Sequence, residues 1–130
     1  YVTRGSDLTI VTWGATVERS RLAAERLAES DGASIEVIDL RTLVPWDEEM
    51  VGESVSHTAR LLVVHEDVVR AGFGAEISAW VSDRLFWRLD APVVRVGAQD
   101  CHVAYAPELE AAILPQVDDI AAAARRVLSE

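Results

Sequence analysis

Four clusters of residue types in this 130-residue chain could do chemistry. His65-Glu66-Asp67 sets an imidazole beside two carboxylates, a combination that can move protons or orient a partner. The plainer reading of His65 is a histidine that closes a strand and bonds to nearby backbone. Asp100-Cys101-His102 places a thiol next to an imidazole. Successive side chains diverge, so these neighbours lack the geometry of a nucleophile and its base. Gly14-Ala15-Thr16 and Gly72-Phe73-Gly74 stand at helix starts, where free backbone amides can hold an anion. A dinucleotide fingerprint requires three glycines at fixed spacing; the first loop has one, and the second has Ile77 at the third position. Both therefore read first as packing and turn glycines. The Gly14 helix start keeps open a second reading of the chain, as an anion- or nucleotide-binding regulatory module. Cys101 with the scattered His57, His65 and His102 has no zinc-ligand spacing, and no Gly-x-Ser-x-Gly elbow occurs. No residue set makes a self-sufficient active site, so no catalytic, cofactor-binding or metal-binding residue is assigned.

The elements that must position these residues follow from periodicity. Leu8 to Trp13 reads as a strand closed by Gly14, and residues 15–30 show helical spacing up to Asp31-Gly32. Val17, Ser20, Ala24, Leu27 and Ala28 share one face of that helix, with Leu22 off it. Ser34 to Leu40 is a second strand. The stretch Asp39-Leu40-Arg41-Thr42-Leu43-Val44-Pro45-Trp46-Asp47 joins it to a helix over about 47–58. Pro45 fixes its own φ and biases Val44 away from helical angles. Asp47, then Glu48 and Glu49, offer a capping oxygen and negative charge to the helix start.

Leu61 to His65 is an unbroken apolar run up to its histidine, the pattern of a strand covered on both faces. A glycine loop leads to a long helix, about 73–88, on which Phe73, Ile77, Trp80 and Val81 share a stripe. Phe86 points roughly opposite Ile77, so Trp80, Phe86 and Trp87 are candidates for a subunit interface. Pro92 to Val96 is another strand, Gln99 to Leu114 an irregular loop with one helical turn, and 116–129 a final helix. On that helix Val117, Ile120, Ala124 and Val127 share a face, and Asp118, Asp119, Arg125 and Arg126 match the helix dipole. Strands alternating with helices predict one α/β domain over residues 1–130, with a mostly parallel sheet between helical layers.

Half the residues are hydrophobic, an ordinary globular balance. The formal net charge is −10, from 22 acidic against 12 basic residues, and every basic residue is arginine. That charge disfavours nucleic acid and anionic membranes and suits a basic protein partner. No apolar run approaches the roughly 20 residues needed to cross a bilayer. Residue 1 is Tyr, which points to a fragment of a longer chain. A single cysteine allows no internal disulfide and fits a reducing cytoplasm.

Six phrases in order carry a family resemblance: Ser6 to Gly14; Asp39 to Asp47; Val63-Val64-His65-Glu66; Ala71 to Ile77; Leu89 to Val96; and Tyr105-Ala106-Pro107 with Leu109-Glu110 and Leu114-Pro115. Together they resemble the C-terminal domain of the transketolase superfamily, above all that of the β subunit of thiamine-diphosphate-dependent 2-oxoacid dehydrogenases. The resemblance implies a three-layer α/β/α domain with a five-stranded mixed sheet, one edge strand being antiparallel. It implies a parent with α and β subunits that decarboxylates a 2-oxoacid with thiamine diphosphate and magnesium and acylates a lipoyl arm. The cofactors would lie outside this fragment, leaving it inactive alone. A second β subunit, an α subunit and the lipoyl acyltransferase core are the implied partners.

By the same resemblance, His65 and Glu66 fall in a loop facing the subunit interface and substrate channel. The His-Glu pair favours branched-chain enzymes over pyruvate ones. Asp90 and the last helix are placed nearest to docking of the acyltransferase. A transketolase or deoxyxylulose-phosphate synthase domain is the alternative within the superfamily. Two departures stand out: Cys101-His102-Val103-Ala104 replaces a common Thr-Pro-x-Pro, and Arg70 replaces a small residue.

Overall fold

The computed structural model describes residues 1–130. Four strands, β1 (Leu8–Thr12), β2 (Ile35–Asp39), β3 (Leu61–Val68) and β4 (Val94–Ala98), form one sheet in the order β2-β1-β3-β4. Every pairing is parallel, in registers such as Ile10 with Val37 and with Leu62. Parallel neighbours require crossover connections. Helices α1 (Thr16–Asp31), α2 (Glu48–Thr58) and α3 (Gly74–Leu85) provide them, followed late in the chain by α4 (Pro107–Ile113) and α5 (Val117–Leu128).

Side-chain alternation divides the core into two layers. Leu8, Ile10, Val37, Leu62 and Val64 pack with Leu27 of α1 and with Ile120, Ala124 and Val127 of α5. Val11, Ile38, Leu61 and Val63 point the other way, onto Val51 and Val55 of α2 and Ile77 and Val81 of α3. The expected α/β/α layering and parallel sheet are present. The buried face of α1 is Thr16, Ser20, Ala23, Ala24 and Leu27, close to the periodic reading.

Three expectations change. The sheet has four strands rather than five, and its antiparallel component is a single bridge between Thr3 and Val37. The Thr3 hydroxyl itself donates to the Ile35 carbonyl and accepts from the Val37 amide, occupying positions that a longer ladder would use. Gly5 then crosses so close to β2 that a Cβ there would collide with the Ile35 backbone. The long helix ends at Leu85, and Phe86–Arg88 form a separate 3₁₀ turn. The Gln99–Leu114 stretch holds a two-turn helix, α4, started by Pro107 in its first turn with Glu108 and Glu110 behind it.

One polar chain crosses the apolar layer beneath α2. Glu36 is buried, and the Ser54 hydroxyl donates to its Oε1 at 2.5 Å. Thr9 Oγ1 lies 2.7 Å from Ser54 Oγ and 2.7 Å from Thr58 Oγ1. With the Ser54 proton given to the carboxylate, Thr9 is the donor to Ser54. Arg4, 70% exposed, reaches Glu36 Oε2 at 3.5 Å from the surface. Ser54→Ala should lower stability by about 1–3 kcal/mol, since it strips a buried carboxylate of its donor. Arg4→Ala should cost under about 1 kcal/mol, as exposed ion pairs do. Urea unfolding of both variants checks the ranking; equal costs would contradict it.

Candidate functional site

The carboxyl ends of β1, β3 and β4 converge, as in open α/β sheets where ligands gather. β1 delivers Trp13 and Gly14, β3 delivers His65, Glu66 and Asp67, and β4 delivers Gly97. His65 is fully buried. Its ring stacks on Trp13 at 5.2 Å and 13°, and Phe73 meets Trp13 edge-on at 6.1 Å. Glycines close the remaining sides. A Cβ at Gly72 or Gly97 would stand 2.9 Å or 3.1 Å from His65 Cε1, and one at Gly74 would collide with Nε2. Gly74 is therefore set by the imidazole, while Gly72 and Gly97 are held first by the close backbone carbonyls of Val68 and Asp67 and only then by the ring. The Gly72-Phe73-Gly74 loop packs rather than cradling a phosphate.

Neither ring nitrogen of His65 has a hydrogen-bond partner. Burial holds its pKa below the ordinary imidazole value, aided by Arg95 and partly offset by Asp67. The Asp67 backbone favours the cation without making an aligned hydrogen bond to the ring. His65 is thus a neutral packing group, and the reading in which it bonds to backbone is corrected in that respect.

Glu66 leaves the strand on the opposite side and is exposed. Its Oε2 accepts from the Ala15 amide at 3.2 Å, at the start of α1, where no side chain of α1 supplies a cap. Gly14, at φ 62°, admits this contact, since a Cβ there would lie 2.7 Å from the carboxylate. The anion position at Gly14-Ala15-Thr16 is filled from within the chain. A diphosphate does not fit there alongside Glu66. No group of three or more His, Cys, Asp or Glu side chains is arranged to hold a metal ion. The residues of this chain do not build a thiamine diphosphate–magnesium site.

The Asp39–Asp47 joint behaves as its sequence dictates. The Asp47 carboxylate accepts from the Met50 amide at 2.9 Å, with Glu48 and Glu49 in the first turn of α2. Trp80 turns into this joint: it meets Trp46 edge-on at 5.2 Å and donates to Glu48 Oε2 at 3.0 Å. Phe86 and Trp87 stand apart from it, edge to face at 5.0 Å and exposed by 58% and 93%. Asp90 sits beside them, 3.8 Å from Arg60, in a surface groove of about 640 Å³ lined also by Leu89, Pro92 and Val93. The structure therefore joins Phe86, Trp87 and Asp90, and separates Trp80 from them.

Cys101 and His102 are both exposed and make no hydrogen bond to each other, so the loop is no nucleophile–base pair. Arg70 pairs with Asp100 at 3.3 Å, tying the two departures from the family pattern to one another. Sequence reasoning missed Trp13 and Gly97 as walls of the His65 cage. The available signal was three glycines and two aromatics gathered at one sheet edge.

Comparison with known proteins completes this picture. Residues 1–120 match the family described as "Transketolase, C-terminal domain". The chain is 52% identical over 96 residues to 2-oxoisovalerate dehydrogenase subunit beta 2 (mitochondrial) of Arabidopsis thaliana, covering 74% of this chain and 26% of that protein. It is 44% identical over 122 residues to pyruvate dehydrogenase E1 component subunit beta-1 (mitochondrial) of the same plant, covering 94% and 33%. Against the pyruvate dehydrogenase E1 component subunit beta of Bacillus subtilis the values are 43% over 124 residues, covering 95% and 38%. A solved structure described as a split gene transketolase, inactive beta4 tetramer, superposes with a TM-score of 0.85 at 28% identity, covering 98% of this chain and 41% of that one. An open parallel α/β domain of this class, matched over nearly its whole length, belongs to the transketolase C-terminal domain family. Within that family its relatives are 2-oxoacid dehydrogenase β subunits, and the chain spans between a quarter and two fifths of their length.

The cage predicts a specific coupling. Gly74→Ala should cost about 1–3 kcal/mol, as overpacking does. In a His65→Ala background most of that penalty should vanish, because the colliding ring is gone. Urea midpoints of the four members of this cycle give the coupling, and additive costs would mean that Gly74 is needed for another reason.

Proposed function

We propose that this chain is the assembly and partner-docking domain of a 2-oxoacid dehydrogenase β subunit. The observation that carries the reading is the outward-facing pair Phe86–Trp87 beside Asp90 in one groove. Rings this exposed are costly to leave in water and are typical anchors of protein interfaces. The identity to dehydrogenase β subunits supports the parent, and the beta4 assembly named for the solved neighbour supports self-association. The parent would decarboxylate a 2-oxoacid with thiamine diphosphate and magnesium and acylate a lipoyl group, pairing with an α subunit and an acyltransferase core. A branched-chain substrate is favoured over pyruvate by the His65-Glu66 phrase and the 52% identity to the 2-oxoisovalerate enzyme. In this reading His65 acts from inside the domain, with Glu66 at the interface loop, and the parent works in a reducing compartment such as the cytoplasm.

A transketolase parent is the second reading, supported by the shape of the solved neighbour, but at 28% identity against 43–52% for the dehydrogenase relatives. The anion-binding regulatory module loses its support, because Glu66 occupies the helix start on which it rested.

Trp87→Ala should weaken self-association about tenfold or more while leaving the urea midpoint unchanged, because the side chain is 93% exposed. Sedimentation equilibrium reads the first and chemical unfolding the second. Unchanged association removes Trp87 from the interface. Asp90→Ala should weaken binding of the basic subunit-binding domain of the cognate acyltransferase about tenfold and flatten its salt dependence. Calorimetry with unchanged affinity would dismiss Asp90. In the reconstituted parent, kcat/KM for a branched 2-oxoacid should exceed that for pyruvate.

A further inference from the structure

The end of β3 links two distant contacts through adjacent residues. His65 fills the cage of Trp13, Phe73, Gly72, Gly74 and Gly97, and Glu66 holds the first amide of α1. Adjacent strand residues point to opposite faces, so a displacement of one carries the other with it. Neither ring nitrogen makes an aligned hydrogen bond, and the polar groups nearest the ring come from Asp67. Burial favours the neutral imidazole over the cation, an effect that Asp67 only partly offsets.

The charged groups around the ring are few. Asp67 on the same strand favours the cation; Arg95 on β4 opposes it and is itself held at 2.7 Å to the Val69 carbonyl. Glu66 is turned away toward α1, and neither β1, Trp13 and Gly14 nor the Gly72–Gly74 turn contributes a charge. The turn has somewhere to go. Ala71 sits at φ 61°, in the left-handed region that a side chain with a Cβ rarely adopts, immediately before the glycines that wall the ring.

From this geometry we infer that His65 and Glu66 form an acid-sensitive latch: protonation drives the imidazole out of its cage, and the movement of β3 withdraws Glu66 from α1, opening the carboxyl edge of the sheet. The sign follows from linkage. The folded pKa lies below the unfolded value of about 6.5, so the closed latch has its full stability above that pH and loses it as pH falls toward the folded value. The Trp13 stack provides a built-in reporter, since His57 and His102 are exposed and are not stacked on a tryptophan.

The test follows the wild-type chain from pH 8 to pH 4 by tryptophan emission, by amide exchange at Ala15 and by the NMR shifts of the His65 ring. All three should share one midpoint below the ordinary imidazole value, with Ala15 protection falling at least tenfold while far-UV circular dichroism stays constant. In His65→Phe, which keeps an aromatic ring in the cage, the Trp13 transition should disappear, and Ala15 should stay protected through the wild-type midpoint. In Glu66→Ala the Trp13 transition should persist with Ala15 unprotected at every pH. A His65 ring that titrates at or above the ordinary value overturns the latch. So does a ring midpoint distinct from that of Ala15 in the wild type, a readout that stands even if the variants fail to fold.

Discussion

The structure is organised by two five-residue strand segments that touch no solvent. Over Leu8–Thr12 and Leu61–His65 every residue is buried, so both faces of the sheet centre must be covered. A strand buried on both faces needs helices above and below, and parallel pairing needs a crossover between each neighbour. Those requirements together place α1 and α5 on one side and α2 and α3 on the other. They also force every strand-to-helix turn to one edge. The gathering of Trp13, His65, Glu66 and the glycine turn is a consequence of that arrangement, reached before any question of chemistry arises.

Polar groups inside such a sheet meet one of two fates. Glu36 is held by a hydrogen bond from Ser54 and, through Ser54, by a chain of threonine hydroxyls. His65 has no such company and is retained by shape, as a flat neutral ring against Trp13 with glycines where side chains would intrude. The first solution is insensitive to the details of packing so long as the donors remain. The second depends on protonation state and on three positions having no Cβ. Two buried ionisable residues of one sheet are thus held in different ways, one by hydrogen bonds and the other by ring packing.

Much of this was legible in local sequence because local forces decide it. The cap at Asp47, the apolar stripe of α5 and the two-faced run at Leu61 depend on residues within a turn or two of each other, and each appears as read. What escaped depends on distant partners. Glu66 accepts from Ala15, the N-cap residue of α1, 51 positions earlier in the chain, which no periodicity can reveal. Trp80 belongs by spacing to the same stripe as Ile77, yet its indole is captured by Glu48 of α2, so its aromatic character alone did not mark where it would lie. The one antiparallel bridge, Thr3 to Val37, has the same origin, since it joins residues 34 positions apart. The α4 helix was hidden differently, since seven residues give too short a window for a period to emerge.

The charge distribution bears on what the groove can receive. Five of the twelve arginines are tightly committed within the chain: Arg21 to Glu18 and Glu25, Arg26 to Asp118, Arg125 to Asp31, and Arg19 and Arg95 to backbone carbonyls. With acids in excess by ten, the charge left over is negative, and it includes Asp90, whose one ion pair is long at 3.8 Å. A loosely held carboxylate gives up little to accept a new cation, whereas one in a tight pair would first have to break it. Trp87 and Phe86 add the apolar contact that charge alone cannot supply, since screened surface charges steer association more than they hold it. Under the proposed docking role, Asp90 beside the exposed rings of Phe86 and Trp87 would suit a partner that sets a basic group next to an apolar one.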